Sequence, residues 1–224
     1  MRGGKNKTGY TITEVLIVLA ISSAMFLVAN SFISGRVSET AFRTGVNEMA
    51  SRIQDVMDQV SNGQYNDRPV SCTVTGGIVT ISDGNVSQGT NRQCSYAGKL
   101  FRFTSGQNSY ILDTIAGQLT TDSAPNYTGL TPINKFQVTQ NVAGGLTPKT
   151  SSSATYTFGF LLNPSQSSSG NSDNVWLVNS SYTRIATGLF ICFTNGKNTA
   201  KISIGDSSST GMAVKTDFIN ITGC

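Results

Sequence analysis

Lys7-Thr8-Gly9-Tyr10-Thr11-Ile12-Thr13-Glu14, followed at once by the apolar run from Val15 to Ala29, decides how this chain is built. A carboxylate stands at the mouth of a segment that otherwise avoids charge. From Ile12 to Ile33 Glu14 is the only ionisable residue, and at 1.5 Å per residue about 20 residues suffice to cross a hydrocarbon core as a helix. Arg2, Lys5 and Lys7 precede it with no acid among them, a bias that keeps the amino terminus cytoplasmic. An ordinary secretory signal shares this basic-then-apolar order, and Ala29-Asn30-Ser31 offers small residues for its cleavage. Glu14 separates the two readings. A carboxylate costs about 2.5 to 3.5 kcal/mol at the bilayer centre and less near the interface, so a chain that keeps one there should recover the cost elsewhere.

Beyond the apolar run the helical period continues. Phe42, Val46, Met49, Ile53, Val56 and Val60 recur at steps of three and four, while Arg36, Glu39, Arg43, Arg52 and Asp55 fall on other faces. Glu39 with Arg43 and Glu48 with Arg52 have the favourable i,i+4 orientation, each contributing about 0.2 to 0.5 kcal/mol. Asn62-Gly63 supplies a stop. The pattern predicts one helix from Tyr10 to Ser61, roughly 75 to 80 Å long at 1.5 Å per residue. Its second half presents an apolar stripe to a globular head.

The order of basic leader, Gly9, aromatic Tyr10, Glu14 and continuing helix resembles the amino terminus of type IV pilins and their pseudopilin relatives. The resemblance is specific over Lys7 to Ala29 and architectural beyond it. It implies a leader, residues 1–9, removed after Gly9 by a prepilin peptidase, which also methylates the new terminus at Tyr10. It further implies that Glu14 neutralises the terminal amine of a neighbouring subunit during assembly, an attraction strengthened in a low-dielectric bundle. The implied partners are other pilin subunits, the prepilin peptidase, an inner-membrane assembly platform and, before assembly, the membrane. The precursor would sit in the inner membrane with its head outside the cytoplasm; the assembled form would be a surface filament. Two departures stand out. Tyr10 replaces the family's usual phenylalanine, and Ile12-Thr13 replaces a pair of apolar residues. The glycine and proline that often punctuate the pilin helix are missing before Gly35, so helix melting on assembly is not carried over.

Composition agrees with export. Only 12% of the 224 residues are charged, and the formal charge of +4 is mostly leader: without residues 1–9 there remain 13 basic and 12 acidic side chains, or +1. General attraction to polyanions does not follow. The four cysteines, Cys72, Cys94, Cys192 and Cys224, form no CxxC pair and meet no histidine, which speaks for disulfides rather than a metal. Three connectivities are open. Cys72 with Cys94 and Cys192 with Cys224 is favoured because each pair brackets a local β-excursion; a carboxy-terminal bridge is also what the pilin resemblance implies.

After the helix the period falls to two. Val70 to Thr75 and Ile78 to Ile81 flank Gly76-Gly77, Leu100 to Phe103 and Tyr110 to Leu112 flank Ser105-Gly106, and Leu189 to Phe193 and Ala200 to Ile204 flank Asn195-Gly196, all reading as hairpins. Further strands are predicted near Phe136 to Thr139, Tyr156 to Leu162 and Val175 to Val178, with loops at Gly144 to Ser153, Ser165 to Asn174 and Ser207 to Gly211. The expected class is α+β: a leader (residues 1–9), a transmembrane or filament-core helix (10–33), its amphipathic continuation (34–62) and a head (63–224) whose antiparallel sheet packs on that continuation. A second small sheet or an elaborated edge fits the number of strands.

Catalysis finds little footing. Histidine is absent, no Ser-x-x-Lys occurs, and no Walker-type glycine loop is present, so the chain is read as a non-enzyme without cofactor or metal. Asp173 and Asp206 sit in oxygen-rich loops, but each loop offers one carboxylate where calcium wants several. Sequons occur at Asn85, Asn126, Asn179 and Asn220. The competing function is a surface binding protein on a single helix, an adhesin or DNA-uptake receptor. For nucleic acid the candidates are Arg92, Lys99 and Arg102, with Lys197, Lys201 and Lys215 as a second group; neither forms a dense stripe with aromatics.

Overall fold

The computed structural model describes residues 10–63, 70–76, 78–83, 95–120, 126–149, 155–164, 174–205, 212–218 and 224. The chain divides into two compact units, Met1–Ala41 and Phe42–Cys224. A single helix, α1 (Ile12–Ser61), contributes to both.

In the first unit α1 is uncharged from Val15 to Ile33 and apolar on every side there, and the residues that make it so are exposed: Leu16, Ile17, Phe26, Leu27 and Phe32 each show 60% or more of their surface. An all-round apolar helix has no solvated face to offer water. This helix is long and apolar enough to cross a membrane, and none of its most apolar window is buried.

The second unit follows from the amphipathic half of α1. Phe42, Val46, Met49, Ile53, Val56 and Val60 are all buried, together with Met57. They join Phe101, Phe103, Phe158, Phe160 and Phe193 in the main core. Among the described residues eleven strands follow the helix: β1 (Val70–Thr75), β2 (Ile78–Asp83), β3 (Ser95–Thr104), β4 (Ser109–Leu119), β5 (Tyr127–Asn141), β6 (Thr147–Lys149), β7 (Thr155–Leu162), β8 (Val175–Asn179), β9 (Leu189–Thr194), β10 (Thr199–Ile204) and β11 (Val214–Asp217). They form three sheets, with strand orders β5-β4-β3-β7-β8, β11-β10-β9-β6 and β1-β2, and every pairing is antiparallel.

The predicted hairpins form in the predicted places. Gly76, Gly106 and Gly196 take positive φ at their turns, a region open to glycine at no steric cost. Two expectations need correction. The stretch 144–153 is not all loop, because Thr147–Lys149 pairs with β9; and the head carries two substantial sheets rather than one with a minor addition. The loop assigned to 207–211 and most of that at 165–174 lie outside the described residues.

Alternation divides the five-stranded sheet into two faces. Phe101, Phe103, Tyr110, Phe158, Phe160 and Leu177 face the main core. Ala97, Leu100, Ile115, Leu161 and Val178 build a second cluster on the other face, with Trp176 and Tyr182 packed against it. The largest of three register shifts in this sheet lies where β4 passes from Leu112 to Thr114 while β5 passes from Val138 to Ile133. Four residues, Asn134 to Gln137, therefore oppose Asp113 alone, and the extra residues bend β5 at this corner.

Candidate functional site

The amino-terminal motif is described from Tyr10 onward; Gly9, the residue on which the expected cleavage depends, lies outside the described residues. Tyr10 is 84% exposed. Thr11 opens the helix: its Oγ1 accepts the Glu14 backbone N–H at 3.3 Å, and its hydroxyl lies 3.1 Å from that of Thr13. Thr11 is thus the N-cap and Glu14 the N3 residue, the acidic residue of the first turn. The helix dipole favours a carboxylate there by about 0.3 to 1 kcal/mol. The sequence carried the signal, Thr-x-x-Glu before an apolar run, although Thr11 was not picked out as a candidate. Further along, Ser23 returns its hydroxyl to the Leu19 carbonyl at 2.7 Å, so it adds no unsatisfied donor to the apolar surface.

Cys192 and Cys224 are joined, with Cα atoms 5.7 Å apart and a separation of 32 positions in sequence. The bridge ties the last residue to β9, where Cys192 is buried. Closing a loop of that length restricts the unfolded chain by about 3 to 4 kcal/mol in the chain-entropy account. Cys94 and the side chain of Cys72 lie outside the described residues.

The basic candidates do not gather. Arg92 lies outside the described residues. Lys99 and Arg102 both stand on β3, but three positions apart they project from opposite faces of the sheet. Lys99 donates to Gln59 Oε1 of α1 at 2.5 Å, and its burial lowers its pKa. Arg102 donates to Asp113 Oδ2 at 2.7 Å, and Gln137 Nε2 donates to Asp113 Oδ1, also at 2.7 Å. Asp113 is 2% exposed. This carboxylate was not among the residues singled out by sequence. In the second basic group, Lys201 stands over the Phe190 ring at 4.7 Å. Lys215, two positions before the Asp217 that faces Lys201 across the β10–β11 ladder, lines the same shallow concavity.

A second concavity runs between α1 and the β4–β5 side of the five-stranded sheet, a groove of about 390 Å³. Arg52, Asp55, Val56 and Gln59 line it from the helix, Lys99, Leu112, Thr114 and Val138 from the sheet. Its polar wall is cross-linked. Arg52 donates to Glu48 Oε1 at 3.3 Å and to Gln140 Oε1 at 3.2 Å, and the Tyr110 hydroxyl donates to the same Gln140 oxygen. Desolvation raises the Tyr110 pKa above the usual phenol value.

Among the described residues no three histidine, cysteine or carboxylate side chains converge to hold a metal. No protein-family model, curated protein or solved structure matches the chain.

Proposed function

We propose that the chain is a prepilin: a structural subunit, cleaved after Gly9, of a type IV pilus or a related type II secretion pseudopilus. The observation that carries this reading is the placement of Glu14. It stands at N3 of α1, four positions after Tyr10 and at the start of an apolar segment whose side chains are exposed. A helix apolar all round has two ways to leave water, a bilayer or a bundle of like helices. A filament subunit uses both in turn, lipid before assembly and neighbouring helices after it. The buried charge at Glu14 is then recovered by the amine that cleavage frees on Tyr10 of another subunit.

The head fits a display role. Its core is closed by aromatic packing, with Phe101 and Phe158 stacked at 5.2 Å between ring centroids. The test is the intact mass of the protein from its native host, with and without reduction. A terminus at Tyr10 carrying one added methyl group supports the proposal. A chain still beginning at Met1, or cut near Ala24 or Ser31, overturns it and leaves a membrane-anchored or secreted domain.

A further inference from the structure

A five-stranded sheet is about 20 Å wide at 4.8 Å between strands, whereas a helix with its side chains is about 10 to 12 Å across. The amphipathic half of α1 therefore cannot cover the whole face it packs on. On the side of β9 and β10 the remainder is closed by apolar contact, with Phe193 meeting Phe103 edge-on at 5.8 Å. On the side of β4 and β5 it stays open as the groove lined by Arg52, Asp55, Lys99 and Val138.

Within that groove the charges are unequally treated. Arg52 has Glu48 as its counter-ion. Among the described residues Lys99 meets only the neutral amide of Gln59, which takes one of its three N–H donors. Among those residues it is a partly buried cation with no carboxylate in hydrogen-bond contact, and that burial disfavours its charge. An anion brought to Lys99 would relieve the cost. Beside it Val138 is 42% exposed, one of two large apolar side chains in the second unit that are exposed among the described residues. With Leu112 and Val56 it offers an apolar wall. Asp55 lines the same groove and penalises ligands bearing several negative charges.

We propose that this groove binds a single carboxylate attached to an aliphatic group, with Lys99 Nζ as the charged anchor and Val138, Leu112 and Val56 as the apolar contact. The same chemistry can arrive as a free aliphatic acid or as an acidic side chain of a second copy of the chain, and two arms of one experiment separate these. In the first, full-length protein in detergent micelles is titrated with butanoate while the Lys99 ammonium and Val138 methyl resonances are followed, with sodium chloride at equal ionic strength as the control. The expected result is a saturable shift at both residues that chloride does not produce. Read at the Val138 methyls, which every variant keeps, binding should weaken by about tenfold or more in Lys99→Gln, while Lys99→Arg retains it and Lys201→Gln leaves it unchanged. In the second arm the protein is diluted without added acid. A concentration-dependent change at the same two residues, whose Val138 component is lost in Lys99→Gln, supports the site and identifies its occupant as a second copy. No saturable change in either arm overturns the proposal, as does a response equal in Lys99→Gln and the parent chain, or equal for chloride and butanoate.

Discussion

Asp113 on β4 receives Arg102 from β3 and Gln137 from β5, each at 2.7 Å, so one carboxylate joins three strands at the point where β5 bends. The pair is asymmetric: the Asp113 side chain is 3% exposed and that of Arg102 38%. Removing Arg102 strands a buried charge, whereas removing Asp113 leaves a cation that water can reach. Arg102→Met is expected to cost about 2 to 3 kcal/mol in urea unfolding, a figure below the usual 3 to 5 for a broken buried pair because Arg102 is partly solvated. Asp113→Asn, which keeps one acceptor for Arg102 and presents an N–H group that a turned Gln137 amide can accept through its own oxygen, should cost less. Equal losses would mean that the buried charge is not the source of the effect.

Alkaline pH probes a different set of groups. Burial raises Tyr127 and Tyr156 from 10.0 to about 12. Between those values the unfolded chain loses phenolic protons that the folded one keeps, so stability present below pH 10 falls as pH climbs toward 12. Lys99 runs the other way. Its folded pKa lies below 10.5, so charging it opposes folding at lower pH, and that cost fades as pH rises through the window below 10.5. Unfolding free energies of the parent and of Tyr127→Phe, measured from pH 9 upward, should separate above pH 10, with the variant declining less steeply. Tyrosinate absorbance should show a late-titrating class that Tyr127→Phe diminishes.

Two glycines of the same helix make opposite predictions. A methyl group on Gly45 would meet the Ala143 carbonyl oxygen at 2.7 Å, while one on Gly35 meets nothing within 4 Å. Gly45→Ala therefore forces backbone from backbone and should destabilise the head by about 1 to 3 kcal/mol despite its better helix propensity. Gly35→Ala should gain up to about 1 kcal/mol of helix stability. Circular dichroism melts of both variants check the sign.

How much of this was legible in the sequence depends on range. The stripe from Phe42 to Val60 and the turns at Gly106 and Gly196 are written in local periods and local punctuation, and they form where those signals stand. β6 and β11 escape the pattern because they are only three and four residues long, too short for an alternation to show. Thr147-Pro148-Lys149 even contains a proline, tolerated where one edge needs no ladder bond. The opposition of Lys99 and Arg102 was readable, since residues three apart on a strand face opposite ways, yet grouping them by charge concealed it. Asp113 was not readable. Its value depends on Gln137, 24 residues away, and on a four-residue bulge that only pairing reveals.

Glu14 now has two physical roles that a single alanine substitution would confound: third residue after a threonine N-cap, and carboxylate at the edge of an apolar segment. Glutamine separates them, because it serves the N3 position of a capping box as glutamate does but carries no charge. Under the prepilin reading Glu14→Gln should lose filament incorporation as completely as Glu14→Ala, with helix content unchanged. Thr11→Ala should instead weaken the helix start by about 1 kcal/mol and leave incorporation largely intact. Sheared-filament yield, scored beside membrane-retained protein, reads both outcomes. If Glu14→Gln assembles normally while Thr11→Ala does not, the residue matters for starting the helix, and the charge has no part in assembly.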